Sequence, residues 1–186
     1  NRTMVRKAIK NGVEIIYDDG RYIDEFIDIY NSTMDSNKAS NYYYFDDEYF
    51  QFLKQNMKDN ILFFYSKYEG RFVGASIFLY NKNCMHYHLS GTLYAYRNLA
   101  STNLLIYEAA KWACGSGIPI LHLGGGLTDN DSLFGFKKQF NKKGYLDFNI
   151  GRMIFSKKKY DELLNIRMQN DEDFNKQNSF LIQYRR

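Results

Sequence analysis

Three runs of β-forming residues, at 61–67, 71–80 and 84–92, are separated by only three residues at each junction, and this constrains the fold more than anything else in the chain. Links that short join antiparallel neighbours, because a parallel partner needs a crossover of a dozen or more residues. The first junction, Tyr68-Glu69-Gly70, ends on a glycine able to take the positive φ of a hairpin turn. The second, Asn81-Lys82-Asn83, is built from turn-forming asparagines. Beyond the meander the pattern changes to a helical one. Residues 101–114 carry Leu104, Leu105, Glu108 and Trp112 at helical spacing, with Ser101 placed to cap the start and Gly115 to end it. Residues 118–123 are an apolar strand reached through that helix. A helical crossover of this kind predicts a strand parallel to the last strand of the meander.

The flanks complete a mixed α/β order. Residues 2–14 are a basic amphipathic start that ends at Asn11-Gly12, a helix stop. The domain body is then residues 15–186. A short strand at 15–17 precedes a helix at 21–34, patterned by Ile23, Phe26, Ile27 and Tyr30. A Tyr-rich loop at 36–44 leads to a helix at 46–57, with Tyr49, Phe50 and Leu53 along one face. Past residue 123, Asp131 caps a short helix to Phe140, and residues 145–155 hold one or two strands. A charged helix spans 156–168, a polar linker 169–177 and a terminal strand 180–184. The fold class is therefore α/β (α+β): a mixed, mostly antiparallel twisted sheet flanked by helices. Hydrophobic residues at 45% of the chain, with aromatics at 18%, supply a core, and a single proline argues against disorder. The apolar runs are far shorter than the roughly 18 residues of a membrane span. Cys84 and Cys114 lack CxxC spacing and read as buried free thiols of a reducing, cytoplasmic interior. The first residue is Asn1 rather than Met, which points to a removed upstream part. A net charge of +4 permits contact with phosphates without by itself announcing a nucleic-acid binder.

The chemistry concentrates in residues 121–140, LHLGGGLTDNDSLFGFKKQF. A strand opens into Gly124, Gly125 and Gly126, which either allow close backbone approach to a ligand or are only a flexible exit from the strand, and a helix start comes next with free N–H groups. Neither GxxxxGK nor GxGxxG is present, so the segment is not a nucleotide loop of those kinds. Phe136 and Phe140 lie one turn apart and read as core, while Lys137 and Lys138 cannot both share that face. Such a lysine either neutralises a phosphate, steadies a carbonyl oxygen in acyl transfer, or is simply solvated. Lys142 and Lys143 extend the basic patch. His86 and His88 alternate along one strand, so both point to one sheet face together with Ser90. They serve either as a general base for an amine or as ordinary strand histidines; a third ligand at metal spacing is missing. His122 precedes the glycines and is placed to orient them. Residues 128–132, TDNDS, lack the loop glycine and final glutamate of a calcium site.

His122-Leu123-Gly124-Gly125-Gly126, with Gly135-Phe136-Lys137-Lys138-Gln139-Phe140 after it, resembles the corresponding segment of Fem-type aminoacyltransferases and related FemAB-like GNAT proteins. Residues 103–113 (NLLIYEAAKWA), beginning at Asn103, resemble the helix before that family's glycine-rich strand. Residues 6–13 (RKAIKNGV) resemble the segment linking its two halves, and residues 180–185 (FLIQYR) its terminal strand. The resemblance implies a GNAT acyltransferase fold and transfer of an amino acid from aminoacyl-tRNA to an amine of a peptidoglycan precursor. It also implies an upstream GNAT-like half, peripheral access to a membrane-bound precursor and a supporting role for Lys137. No permanently bound cofactor and no metal are expected. The donor is aminoacyl-tRNA or, as in other relatives, acyl-CoA. CoA-using GNAT enzymes carry a pattern like R/Q-x-x-G-x-G/A before the long helix. Here Arg97 stands at its arginine, while Ala100 and Thr102 replace its glycines, a departure that favours the tRNA donor. A non-catalytic half that packs on a partner domain and binds tRNA or precursor is the reading of a different class.

Overall fold

The structure, a computed structural model, describes residues 1–126, 128, 131–180 and 182–185. It divides into two compact units, Asn1–Gly144 and Tyr145–Arg186. In the first, α1 (Arg2–Lys10) leads to β1 (Glu14–Asp18), α2 (Ile23–Ser36) and α3 (Asp47–Asn56). Then come β2 (Ile61–Tyr68), β3 (Arg71–Tyr80) and β4 (Met85–Thr92), and after them α4 (Ser101–Gly115), β5 (Leu121–His122) and α5 (Ser132–Lys138). The five strands form one sheet in sequence order. The first four are antiparallel, and β5 runs parallel to β4, as the helical crossover demands.

Both faces of this sheet are covered, which explains why β2 and β3 read as continuous apolar runs rather than alternating ones. Phe63, Tyr65, Ala75 and Ile77 face Ile23, Phe26 and Ile27 of α2 and Phe50 of α3. Phe26 meets Phe63 and Phe50 edge-on, at 5.9 and 5.6 Å between ring centres. On the opposite face Phe64, Phe78 and Met85 pack against Leu105, Ala109 and Ala113 of α4. Val5 and Ala8 of α1 pack with Leu99, Ala100 and Leu104, so α1 docks beside the start of α4.

The local chemistry of the turns is mostly as read from sequence. Gly12 stops α1 at φ +79°. In the first hairpin Glu69 joins Gly70 at positive φ, +49° and +77°, because a two-residue turn with Tyr68 opposite Arg71 needs both. Asp46 and Asp131 cap α3 and α5, accepting from the N–H groups of Tyr49 and Phe134.

Several expectations are corrected. Ser101 does not cap α4. Ala100 is the N-cap, in the left-handed region at φ +57°, and Ser101 is a buried first-turn residue. Gly115 lies within α4, and Gly117 (φ +72°) turns the chain instead. The strand expected over 118–123 shrinks to Leu121–His122, because only that stretch runs alongside β4. Cys84 is half-buried and Cys114 exposed, so neither is a core thiol.

In the second unit, residues 145–155 form no strand. Every side chain there is exposed and no ladder partner is present among the described residues; a β pattern without a neighbouring edge is not a strand. α6 (Lys157–Asn170) starts at Ser156, whose hydroxyl accepts from the Lys159 N–H, and carries i,i+4 pairs such as Lys157–Asp161 at 3.0 Å. The expected terminal strand is also absent: Gln183–Arg185 form a 3-10 turn, and residue 181 lies outside the described residues. Tyr160 and Tyr184 meet edge-on at 5.4 Å. Among the described residues no helix is long and apolar enough to cross a membrane.

Candidate active site

The site begins with an irregularity in β4. Ile77 pairs with Leu89 but Phe78 pairs with Tyr87, so His88 is the extra residue of a β-bulge. The bulge reverses the expected alternation. Met85 and Tyr87 face α4, while His88 faces α3, where its Nε2 lies 2.9 Å from the Tyr49 hydroxyl. Leu89 also falls on the α2 side, which pushes Ser90 to the opposite face, where its hydroxyl accepts from Ser76 at 2.7 Å. His86 and His88 therefore keep one face, and Ser90 does not share it.

Across the parallel ladder His86 stands in register with His122. Their rings lie 5.0 Å apart and 25° from parallel, and the two Nδ1 atoms approach to 2.8 Å, a hydrogen bond in which one ring must donate. β4 and β5 pair only at this position and the one before it, so the strands part beyond the histidines. The three glycines begin in that opening and have separate duties. Gly124 takes a left-handed φ of +72°, Gly125 faces open space, and any side chain at Gly126 would collide with the Asp131 carboxylate. That carboxylate accepts from Phe134 N–H with one oxygen and from Thr128 N–H with the other, fastening the glycine loop to the start of α5.

One turn later on α5, Lys137 reaches back and donates from Nζ to the Gly125 carbonyl at 2.8 Å. Its Nζ also lies 5.7 Å from the centre of the Tyr87 ring. Burial pulls the Lys137 pKa below its ordinary value, partly offset by Asp131. Burial likewise lowers His88. It is the main cause at His86, where charge on His122, His88 and Lys137 adds to it. Two imidazoles held neutral near pH 7 are thus set beside one cation. An ammonium has three donors, so Lys137 can hold the loop carbonyl and still present an N–H to a substrate oxygen.

The other sequence candidates sit elsewhere. Arg97, exposed, lies 3.5 Å over the Tyr94 ring in the turn before α4. Asn103 is buried, and its amide donates to the Asn1 side chain at 2.8 Å, where α1 meets α4. Phe136 is half-buried against Phe140, and Lys138 lies 5.6 Å from the Phe134 ring. Lys142 and Lys143 are exposed. Among the described residues no cluster of three His, Cys, Asp or Glu is arranged to hold a metal. The residues TDNDS at 128–132 fall partly outside the described residues; Asp131 there serves as a helix cap. Sequence reasoning missed the His86–His122 contact and Tyr49. The first was legible in principle, because a helical crossover makes its two strands neighbours and each carries a histidine.

Comparison with known proteins agrees with the fold. The family profile described as an acetyltransferase (GNAT) domain matches residues 1–138. No curated protein sequence matches the chain. Among solved structures, FemX aligns with a TM-score of 0.64 at 14% identity, over 74% of this chain and 52% of FemX. The aminoglycoside acetyltransferase meta-AAC0020, from an uncultured soil metagenomic sample and solved with sisomicin, aligns at 0.58 and 13% identity, over 80% and 98%. AAC(6')-Iy in complex with the bisubstrate analogue CoA-S-monomethyl-acetylneamine aligns at 0.53 and 12% identity, over 78% and 97%.

Proposed function

The chain belongs to the acetyltransferase (GNAT) domain family, a family of acyltransferase fold, and we propose that it passes an aminoacyl group from aminoacyl-tRNA to the amine of a peptidoglycan precursor. The observation that carries the reading is Lys137 held against the glycine loop, in the opening between β4 and β5. In this reading the acyl carbonyl lies beside the Lys137 ammonium and the N–H groups of Gly124–Gly126, which steady the negative charge of the tetrahedral intermediate. His86 removes the proton that frees the amine for attack. His88 is less available because Tyr49 engages its Nε2. No covalent enzyme intermediate is needed; the protein contributes orientation, proton removal and charge stabilisation. As in Fem-type enzymes, an upstream GNAT-like half joined through residues 1–14 would complete the precursor site.

A specific observation supports a second reading, in which the donor is acyl-CoA and the acceptor a small amine or amino sugar. Ala100 adopts the left-handed conformation that a glycine would favour, at a position where CoA-using relatives carry one. The loop thus keeps a glycine's shape without the glycine. Calorimetry separates the two. The tRNA reading expects acetyl-CoA to bind weakly or not at all, and tRNA to bind at low salt with an affinity that falls steeply as salt rises. A stoichiometric, micromolar acetyl-CoA isotherm would move the assignment to the CoA donor. Absence of tRNA binding at low salt in the full-length protein would remove the tRNA donor.

A further inference from the structure

We propose that His86 and His122 work as one base, two imidazoles sharing a proton between their Nδ1 atoms, with His122 a positioning and charge-sharing residue that the family assignment does not supply. The proposal rests on the acyl-transfer reading above for its substrate, and on the 2.8 Å contact for its chemistry. With one Nδ1–H between them, the rings differ. The donor ring has a bare Nε2 that can take a proton, and the acceptor ring carries its own proton on Nε2. The arrangement therefore presents one base and one hydrogen-bond donor side by side, whichever ring is which.

The bare Nε2 takes H⁺ from the acceptor ammonium and leaves a free amine. The amine attacks the acyl carbonyl, the new C–N bond forms, and the ester C–O or thioester C–S bond breaks with its electron pair on the leaving atom. That atom receives the second amine proton, and the first leaves the histidine pair for solvent. While the pair holds the extra proton, a charge-assisted Nδ1–H···Nδ1 bond replaces a neutral one, which stabilises the singly charged state. A second proton would set two N–H donors and two charges against each other at the same contact. Among the described residues, the charged groups facing the pair are Lys137 from α5 and His88 from β4, both of which oppose added positive charge on His86; Asp131, behind Lys137, acts through it. Tyr49 from α3 reaches His88, not the pair.

If one proton is shared across the 2.8 Å contact, the two rings should take up protons as a pair, in two separate steps. Removing one ring should leave the other with a single step between those two. The test is an NMR titration of the whole chain labelled with ¹⁵N-histidine, wild type beside His122→Asn and His122→Phe. Asparagine retains a hydrogen-bonding group for His86 but carries no charge, so it separates charge sharing from orientation. The expected result is two separated steps in wild type, with a proton-bearing Nδ1 on one ring, and one intermediate step for His86 in both variants. In the transfer assay, the acid limb of the rate profile should move to the same new position in His122→Asn. A His86 titration identical in wild type and His122→Asn would overturn the proposal. So would stoichiometric zinc binding lost in both variants, since the rings would then be ligands. A chain that transfers nothing from either donor contradicts the proposed function, while the titration still decides the pair.

Discussion

At Ala100 the backbone shows what a single residue can conceal. An L-residue at φ +57° is disfavoured by about 1–2 kcal/mol, and nothing in the composition of the YRNLAST stretch announces that conformation. It is imposed from outside, by Val5 and Ala8 of α1 packing with Leu99, Ala100 and Leu104. Ala100→Gly should therefore raise stability in chemical denaturation, by up to about 1 kcal/mol. A clear loss would mean that packing around the buried methyl group outweighs the backbone strain. The histidines teach the converse. Their identities were readable, but the roles diverge through single contacts, His88 to Tyr49 and His86 to His122. If His86 in its neutral form is the base, the transfer rate should fall as acid charges it. Burial and the charge of His88 and Lys137 hold a lone His86 low, so in a variant without His122 to share the proton the acid limb should lie below the ordinary histidine range. A profile whose acid limb lies above that range would assign proton removal to another group.

The elements were legible to very different degrees. The meander, α2, α3 and α4 could be placed because each carries a strong period and distinct turn chemistry. The bulge at His88 could not, because an inserted residue leaves the apolar pattern locally ambiguous. The strands expected at 145–155 and 180–184 failed for a related reason: a pattern describes what a strand would bury, not whether an edge is there to receive it. The glycine loop offers a sharper test at this scale. A methyl group at Gly126 meets the Asp131 carboxylate, whereas at Gly125 it meets nothing. Gly126→Ala should displace the cap of α5 and cost about 1 kcal/mol, the usual value of such a cap, and should reduce transfer because Lys137 sits on that helix. Gly125→Ala should change stability by only a few tenths of a kcal/mol. Denaturation midpoints of both variants check the contrast, and equal losses would mean that the Asp131 cap does not tie the loop to the helix.

For the molecule as a whole, the three apolar clusters and five strands found among the described residues lie within Asn1–Gly144. A chain ending at Gly144 should unfold in one cooperative transition; gradual, non-cooperative melting would show that Tyr145–Arg186 is needed for the fold. The central claim concerns two lysines that sequence alone barely distinguishes. Lys137 is half-buried and bonded to the glycine loop, whereas Lys143 is exposed beyond α5. The decisive measurement is the transfer rate constant of wild type, Lys137→Ala and Lys143→Ala in the full-length enzyme, with thermal midpoints recorded so that unfolding cannot imitate a catalytic defect. If Lys137 steadies the intermediate, its loss should lower the rate constant about 10²–10³-fold with little change in substrate affinity, and Lys143→Ala should stay near wild type. Small and equal effects from the two substitutions would contradict the account: Lys137 would then be only a surface lysine on an acyltransferase fold.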